Sequence, residues 1–200
     1  MNDIELWKLV LKGDSSALSM LYCRYYELML NFGLRYTPDV DLVKDCIQDV
    51  FVKICSSRRL SELTYVKSYL LASVRNVLLD RLSELRPQEN IDDHAFCLDI
   101  DDAALERIFM HDDEKLRLSR RLLSAYGMLP KKQREVLYLR YVKGLSHKEV
   151  AAALEINPQS SMNQIHRALD RLRAILGPDF DASIALFFGA AGTGTLFASL

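Results

Sequence analysis

The chain lacks most of what an enzyme or a secreted disulfide domain needs. It has four cysteines, Cys23, Cys46, Cys55 and Cys97, with no Cys-x-x-Cys spacing and no histidine pair nearby. That pattern excludes the usual zinc sites and disulfide frameworks, and it suits a reduced chain in which cysteine serves as a small apolar residue. There is no glycine-rich phosphate loop, no His-x-x-x-His pair and no Ser or Cys nucleophile signature. The four histidines, His94, His111, His147 and His166, are scattered. No catalytic activity, cofactor, metal or small-molecule substrate is therefore expected. Period-two alternation is missing from the first 83 residues, which argues against strands there. The opening MNDIELWKLVLKG has acidic residues and no long apolar core, so it does not read as a signal peptide, and a cytoplasmic protein is expected.

An excess of charge of either sign is also lacking: the formal net charge is −1. Divided by segment, that average hides two opposed regions. Residues 1–83 hold 11 Lys/Arg against 10 Asp/Glu, and residues 84–116 hold 3 against 11. Residues 117–173 hold 12 against 4, and residues 174–200 add only two acidic side chains. A basic module beside an acidic one points to a polyanionic partner for the basic part.

What is present is helical periodicity. Ile4, Trp7, Val10 and Leu11 form a short amphipathic helix that Gly13 ends. Asp14 caps a second helix, whose stripe is Ala17, Leu18, Leu21, Tyr22, Tyr25, Leu28, Met29 and Phe32. After Thr37-Pro38-Asp39 a third carries Val40, Val43, Ile47, Val50, Phe51 and Ile54. Ser56 to Leu63 reads as a loop, and a fourth helix over about Tyr65–Leu82 buries Val66, Leu70, Val74 and Val77. Residues 84–115 are acidic and contain Pro87. They read as a linker, either a solvated tether or a segment partly ordered on a partner. A helix with Leu118, Leu122, Leu123 and Tyr126 follows, then one from Pro130 to Gly144.

Two closely spaced helix starts come next. Ser146 to Glu149 has the form of a capping box, and Asn157-Pro158 supplies an N-cap and a first-turn proline. On the second of these helices Met162, Ile165, Leu169, Leu172 and Leu176 form the apolar stripe. Ser160, Asn163, Gln164, Arg167 and Arg171 lie opposite it. That is a helix-turn-helix with hydrogen-bonding and cationic side chains facing outward, a geometry that fits a DNA major groove. The tail 177–200 includes 19 uncharged residues, Ala182–Leu200, borderline in length for a membrane span of about 20. With three Gly, four Ser/Thr and no basic anchor, packing on the protein, docking a partner and disorder are the open alternatives.

Three segments in order resemble the extracytoplasmic-function (ECF) group of bacterial RNA polymerase sigma factors in the sigma-70 family. Asp45-Cys46-Ile47-Gln48-Asp49-Val50-Phe51-Val52-Lys53 is similar to that family's D-x-x-Q-E/D-V-F-x-K helix. Tyr69 to Asp80, with Arg75-Asn76, is similar to its Y-L-x-x-x-x-R-N-x-x-x-D helix. The third is Leu129-Pro130 through Arg140-Tyr141, Gly144-Leu145-Ser146, Glu149-Val150-Ala151 and His166-Arg167-Ala168. The resemblance implies an all-α, two-domain promoter-specificity subunit. Residues 1–83 would be a region 2-type domain, 84–115 an acidic linker, 116–176 a region 4-type helix-turn-helix, and 177–200 an added tail.

It also implies roles. Asp45, Gln48 and Asp49 would dock on the polymerase clamp, although the same polar face would also suit plain solvation. Arg58, Arg59, Lys67, Arg75, Asn76 and Arg81 would serve the −10 element, with Tyr65 and Tyr69 either stacking on a base or lying in the core. Gln159, Ser160, Asn163, Gln164 and Arg167 would reach −35 base edges, with Arg171 and Lys148 at phosphates. Core RNA polymerase, promoter DNA and an anti-sigma factor are the implied partners. A helix-turn-helix regulator that binds DNA without polymerase is the alternative. The recognition helix, NPQSSMNQIHRAL, departs from the family's more cationic T-V-K-S-R-L-H-R-A type.

Overall fold

The computed structural model describes residues 1–57, 60–85, 96–98 and 102–188, and every regular element among them is helical. In chain order these are α1 (Asp3–Val10), α2 (Ser15–Gly33), α3 (Val40–Ser56), α4 (Val66–Leu85), α5 (Asp102–Ile108), α6 (Asp113–Gly127), α7 (Lys131–Leu137), α8 (His147–Ala153), α9 (Pro158–Leu176) and α10 (Phe180–Phe188). The chain divides into two units. One is Met1–Ala95 with Lys148–Asn157, and the other is Phe96–His147 with Pro158–Leu200.

In the first unit the helix starts are set by side-chain caps. Asn2 Oδ1 accepts from the Glu5 amide at 2.9 Å while Glu5 Oε2 accepts from the Asn2 amide at 2.9 Å. Asp14 Oδ1 accepts from the amides of Ser16 and Ala17, and Asp39 Oδ1 from those of Asp41 and Leu42. Each such cap satisfies orphan donors and is worth about 1 kcal/mol. Trp7, Leu21, Met29, Phe32, Val43, Ile47, Leu70, Val74 and Leu78 are buried and form the centre of the core. Ile4 and Val40, expected on apolar stripes, are exposed. Leu6 and Cys46 take the inward positions instead, because the buried arcs are turned about the helix axes from those expected. Helix α4 is buried around most of its circumference, at Val66, Ser68, Leu70, Leu71, Ala72, Val74, Leu78, Leu79 and Leu82. Gly33 lets α2 and α3 approach: a Cβ there would lie 2.4 Å from Val43 Cγ1.

In the second unit α9 packs on α6 and α7. Helix α7 runs into a π-helical turn, Tyr138–Val142, and Gly144, with φ of +68°, ends it. The segment read as an acidic linker contributes here, since Phe96 is fully buried and meets the Tyr138 ring edge-on with centroids 5.4 Å apart. Leu105 of α5 is buried as well. The tail's first part forms α10, which packs on α6 and α9, with Phe180 and Ser183 buried. Its entry is clamped by Asp179, which accepts from Arg117 at 2.8 Å and also from Arg121. Arg117 holds the Asp179 carboxyl below its ordinary value, with Arg121 adding to the effect. The rest of the tail lies outside the described residues. Among the described residues no helix is long and apolar enough to cross a membrane.

Candidate nucleic-acid and polymerase interfaces

On α9 the buried arc is Ser161, Ile165, Ala168, Leu172 and Leu176. Three of the five expected stripe residues are in it. Met162 is 37% exposed and Leu169 half-buried, because small Ser161 and Ala168 give the closer fit. The outward face therefore turns slightly from the one expected. Gln159, Asn163, His166 and Arg167 are exposed, while Ser160 and Gln164 are half-buried at its edge. Gln159 Nε2 donates to Asn163 Oδ1 at 3.0 Å, one turn along. Arg171 is exposed but its Nη1 contacts Gln133 Oε1 at 3.4 Å, and Arg173 lies over the Phe180 ring, 4.6 Å from its centroid. Lys148 is exposed and belongs to the first unit, as do all residues of α8 after His147.

Among the residues expected at the −10 element, Lys67, Arg75, Asn76 and Arg81 engage different partners. Arg58 and Arg59 lie outside the described residues. Lys67, near the start of α4, is half-buried; burial pushes its amine below the ordinary value, opposed by the carboxylates of Glu149 and Asp3. Arg75 Nη1 contacts Asn76 Oδ1 at 3.5 Å, and Asn76 Nδ2 donates to Glu155 Oε2 at 3.0 Å within the first unit. Glu155 has a φ of 55°, a left-handed backbone that an L residue adopts at a cost. Arg81 turns to α3, where its Nη2 donates to Asp49 Oδ2 at 3.1 Å. Tyr69 meets Trp7 edge-on at 5.3 Å, so its ring is engaged inside the bundle.

A contact of Trp7 that sequence reasoning did not give bears on this region. Trp7 Nε1 donates to the Ser61 carbonyl at 2.9 Å, pinning the loop between α3 and α4. The signal available was that Trp7 is the chain's single tryptophan, a residue whose buried N–H needs a partner. Beside this loop a hollow of about 430 Å³ is lined by Leu11, Asp14, Leu18, Ile54, Ser57 and Leu60 among others.

On α3, Asp45 and Gln48 are exposed and Asp49 is half-buried, all along one side of the helix. Asp49 alone of the three lines a groove of about 490 Å³ between α3 and α4, with Val52, Lys53, Val77, Asp80, Arg81 and Glu84. Val52, 63% exposed, gives it an apolar floor with acidic and basic walls. An amphipathic helix carrying basic residues has the chemistry to settle there.

Comparisons with known proteins bear on both units. Residues 21–87 match the family description "Sigma-70 region 2", and residues 119–172 match "Sigma-70, region 4". The RNA polymerase sigma factor CarQ of Myxococcus xanthus is 29% identical over 166 residues, which span 82% of this chain and 92% of CarQ. The ECF RNA polymerase sigma factor SigM of Bacillus subtilis (strain 168) is 24% identical over 155 residues, 78% of this chain and 92% of SigM. A solved structure of CnrH in complex with the cytosolic domain of CnrY shares the fold. Its TM-score is 0.56 at 24% identity, covering 87% of this chain and 96% of that one. Region 2 covers α3 and α4, with the Asp45–Lys53 and Tyr69–Asp80 motifs, and region 4 covers the helix-turn-helix with its bracing helices. With both regions present in the expected order, the chain belongs to the ECF group of the sigma-70 family.

Proposed function

We propose that this chain binds core RNA polymerase and directs it to promoters by reading two separated elements, the chemistry of RNA synthesis residing in the polymerase. The observation that carries the reading is a division of surfaces. The α3–α4 groove offers an acidic and apolar seat for a polymerase helix, and α9 offers an exposed row of amides and Arg167 for DNA. Asp45, Gln48 and Asp49 make the polymerase contact. The loop after α3 and the first part of α4, with Arg58, Arg59, Lys67, Arg75 and Asn76, serve the −10 strand. The 430 Å³ hollow beside that loop holds a base taken out of the stack. Arg81, paired with Asp49, belongs to the polymerase-facing group rather than to the DNA-facing one.

On α9, Gln159, with Asn163 bonded beside it, and Arg167 reach −35 base edges, with Ser160 and Gln164 at the edge of the contact and Arg171 at a phosphate. Phe96, buried against Tyr138, anchors the acidic segment to the region 4 unit, so the linker is a tether only on part of its length. The domain limits proposed are those of the sequence reading, 1–83 and 116–176, with α10 added to the second and Lys148–Asn157 associated with the first. CnrH, of the same fold, is held with the cytosolic domain of a second protein, and a protein inhibitor of the anti-sigma kind is proposed for this chain as well. The setting proposed is the cytoplasm, where polymerase and promoter DNA meet.

Transcription in vitro with core polymerase, with and without the chain, tests the reading when start sites are mapped. Start sites that depend on the chain are expected. Gln48→Ala with Asp49→Ala should weaken polymerase association on any template, whereas Asn163→Ala with Arg167→Ala should change which upstream sequences are used. Specific operator binding by the isolated chain, with no effect on polymerase, would instead establish the independent regulator.

A further inference from the structure

The first two turns of α9, Pro158 to Gln164, contain no charged side chain, so base reading at the helix's leading end rests on neutral amides. This end is the one that a recognition helix presents to base edges. Gln159 and Asn163 are both exposed there, and the 3.0 Å bond between them divides their hydrogen-bonding capacity. A glutamine amide has two N–H donors and one oxygen acceptor. One N–H of Gln159 is committed to Asn163 Oδ1, which fixes the plane of the Gln159 amide. What remains on that amide is one N–H donor and the Oε1 acceptor.

We infer that Gln159 is the base-reading residue at the leading end of this helix, specific for adenine, and that Asn163 is the positioning residue that holds its amide in the reading geometry. The inference rests on the proposed role of α9 at the −35 element. Adenine offers the major groove an acceptor at N7 beside a donor at N6, the complement of the remaining pair on Gln159. Guanine offers two acceptors, N7 and O6, and would set Oε1 against O6 with no hydrogen between them. An unbraced glutamine loses rotamer freedom on binding, and the Asn163 bond removes part of that cost before DNA arrives. Two i,i+4 amides therefore act as one reader with a single base as its target.

The test uses the full chain with core polymerase and a promoter pool randomised through the −35 element, sequencing the transcribed templates. The expected result is an adenine preference at one position of roughly 5- to 150-fold, the range for a bidentate contact. Gln159→Ala abolishes it, and Asn163→Ala weakens it at that same position. Gln159→Glu, which keeps the acceptor and loses the donors, shifts the preference there toward cytosine, whose N4 donates. Both residues are exposed, so unchanged melting curves should accompany all three variants. An adenine preference that survives Gln159→Ala, or an Asn163→Ala effect at a different position, overturns the inference while leaving the −35 role of α9 intact. If randomising the element changes nothing for the unaltered chain, the role of α9 itself fails and this inference with it.

Discussion

The close approach of α2 to α3 makes a quantitative test of how the first unit is built. Gly33→Ala would place a Cβ 2.4 Å from Val43 Cγ1 and 3.3 Å from Cγ2, where ordinary contact begins at 3.4 Å. At least 1 Å of displacement is required, and Val43, fully buried, has no solvent to swing into. A β-branched side chain in a helix also has essentially one χ1 well, so it cannot rotate aside cheaply. Overpacking of this kind costs about 1–3 kcal/mol. The gain in helix propensity from Gly to Ala is about 1 kcal/mol in a helix interior and less at Gly33, the last residue of α2. A net loss of about 1–2 kcal/mol is expected.

Val43→Ala alone removes two buried methyls and leaves a small cavity, about 2–3 kcal/mol by transfer plus cavity terms. In that background the added Cβ at position 33 enters space already vacated, so Gly33→Ala should become neutral or stabilising by up to about 1 kcal/mol. The double-mutant cycle therefore predicts a coupling of about 2 kcal/mol, well outside the roughly 0.5 kcal/mol scatter of independent sites. Urea midpoints at constant m-value provide the assay. If Gly33→Ala matched or exceeded the unaltered chain, or if the two changes simply added, the α2–α3 approach would not be as close as described.

Further predictions concern the surface and the turns. Glu155→Ala and Glu155→Gly both lose the bond to Asn76, but only alanine keeps a Cβ at a φ of 55°. The alanine variant should be less stable than the glycine variant by about 1–2 kcal/mol in urea, and equal stabilities would rule out a left-handed Glu155. Arg81 and Asp49 are each about half exposed, so Arg81→Ala should leave stability nearly unchanged. Association with core polymerase, measured by titration of a labelled chain, should nevertheless weaken, and an unchanged affinity would remove Arg81 from the groove's role. The Asp179 carboxyl is held below its ordinary value of 3.8 by Arg117, with Arg121 assisting. Its contribution to docking α10 is thus present above pH 3.8 and lost as acid titrates it through its lower folded value. Amide exchange in α10 should speed up on acidification below that point relative to the chemical rate. Asp179→Asn should show the faster exchange at neutral pH too, and an unaffected α10 would mean that its apolar contacts suffice.

How much of this was legible in the sequence depends on the range of the interaction. Caps act within three residues, so the starts of α2 and α9 at Asp14 and Asn157-Pro158 could be read directly, as could the break at Thr37-Pro38-Asp39 and the stop at Gly144. Stripes were read to within one position. Three-and-four spacing admits neighbouring arcs, and only the partner's shape decided that Ser161 and Ala168, not Met162, face inward on α9. Helix α4 was read as one-sided because four apolar residues sufficed to define an arc. Its burial at Ser68 and Ala72 reflects neighbours on several sides. Contacts across long stretches of chain were beyond reach. The charge and motif position of Arg81 were legible, but its pairing with Asp49, 32 residues away, was not. A greater distance in sequence, 54 residues, hid the bond from Trp7 to the loop at Ser61, and long range also hid the burial of Phe96 in an otherwise acidic stretch.

The assignment of Lys148–Asn157 to the first unit has a consequence for how the protein can be taken apart. The polypeptide changes units at three places, after Ala95, after His147 and after Asn157, so no single scission yields the two bodies intact. A protease nick in the acidic stretch would leave an N-terminal fragment deprived of the ten residues that complete it. Fragments expressed from either side of that stretch should accordingly be judged first by whether they recover one another in trans, with the nicked pair more stable than its halves.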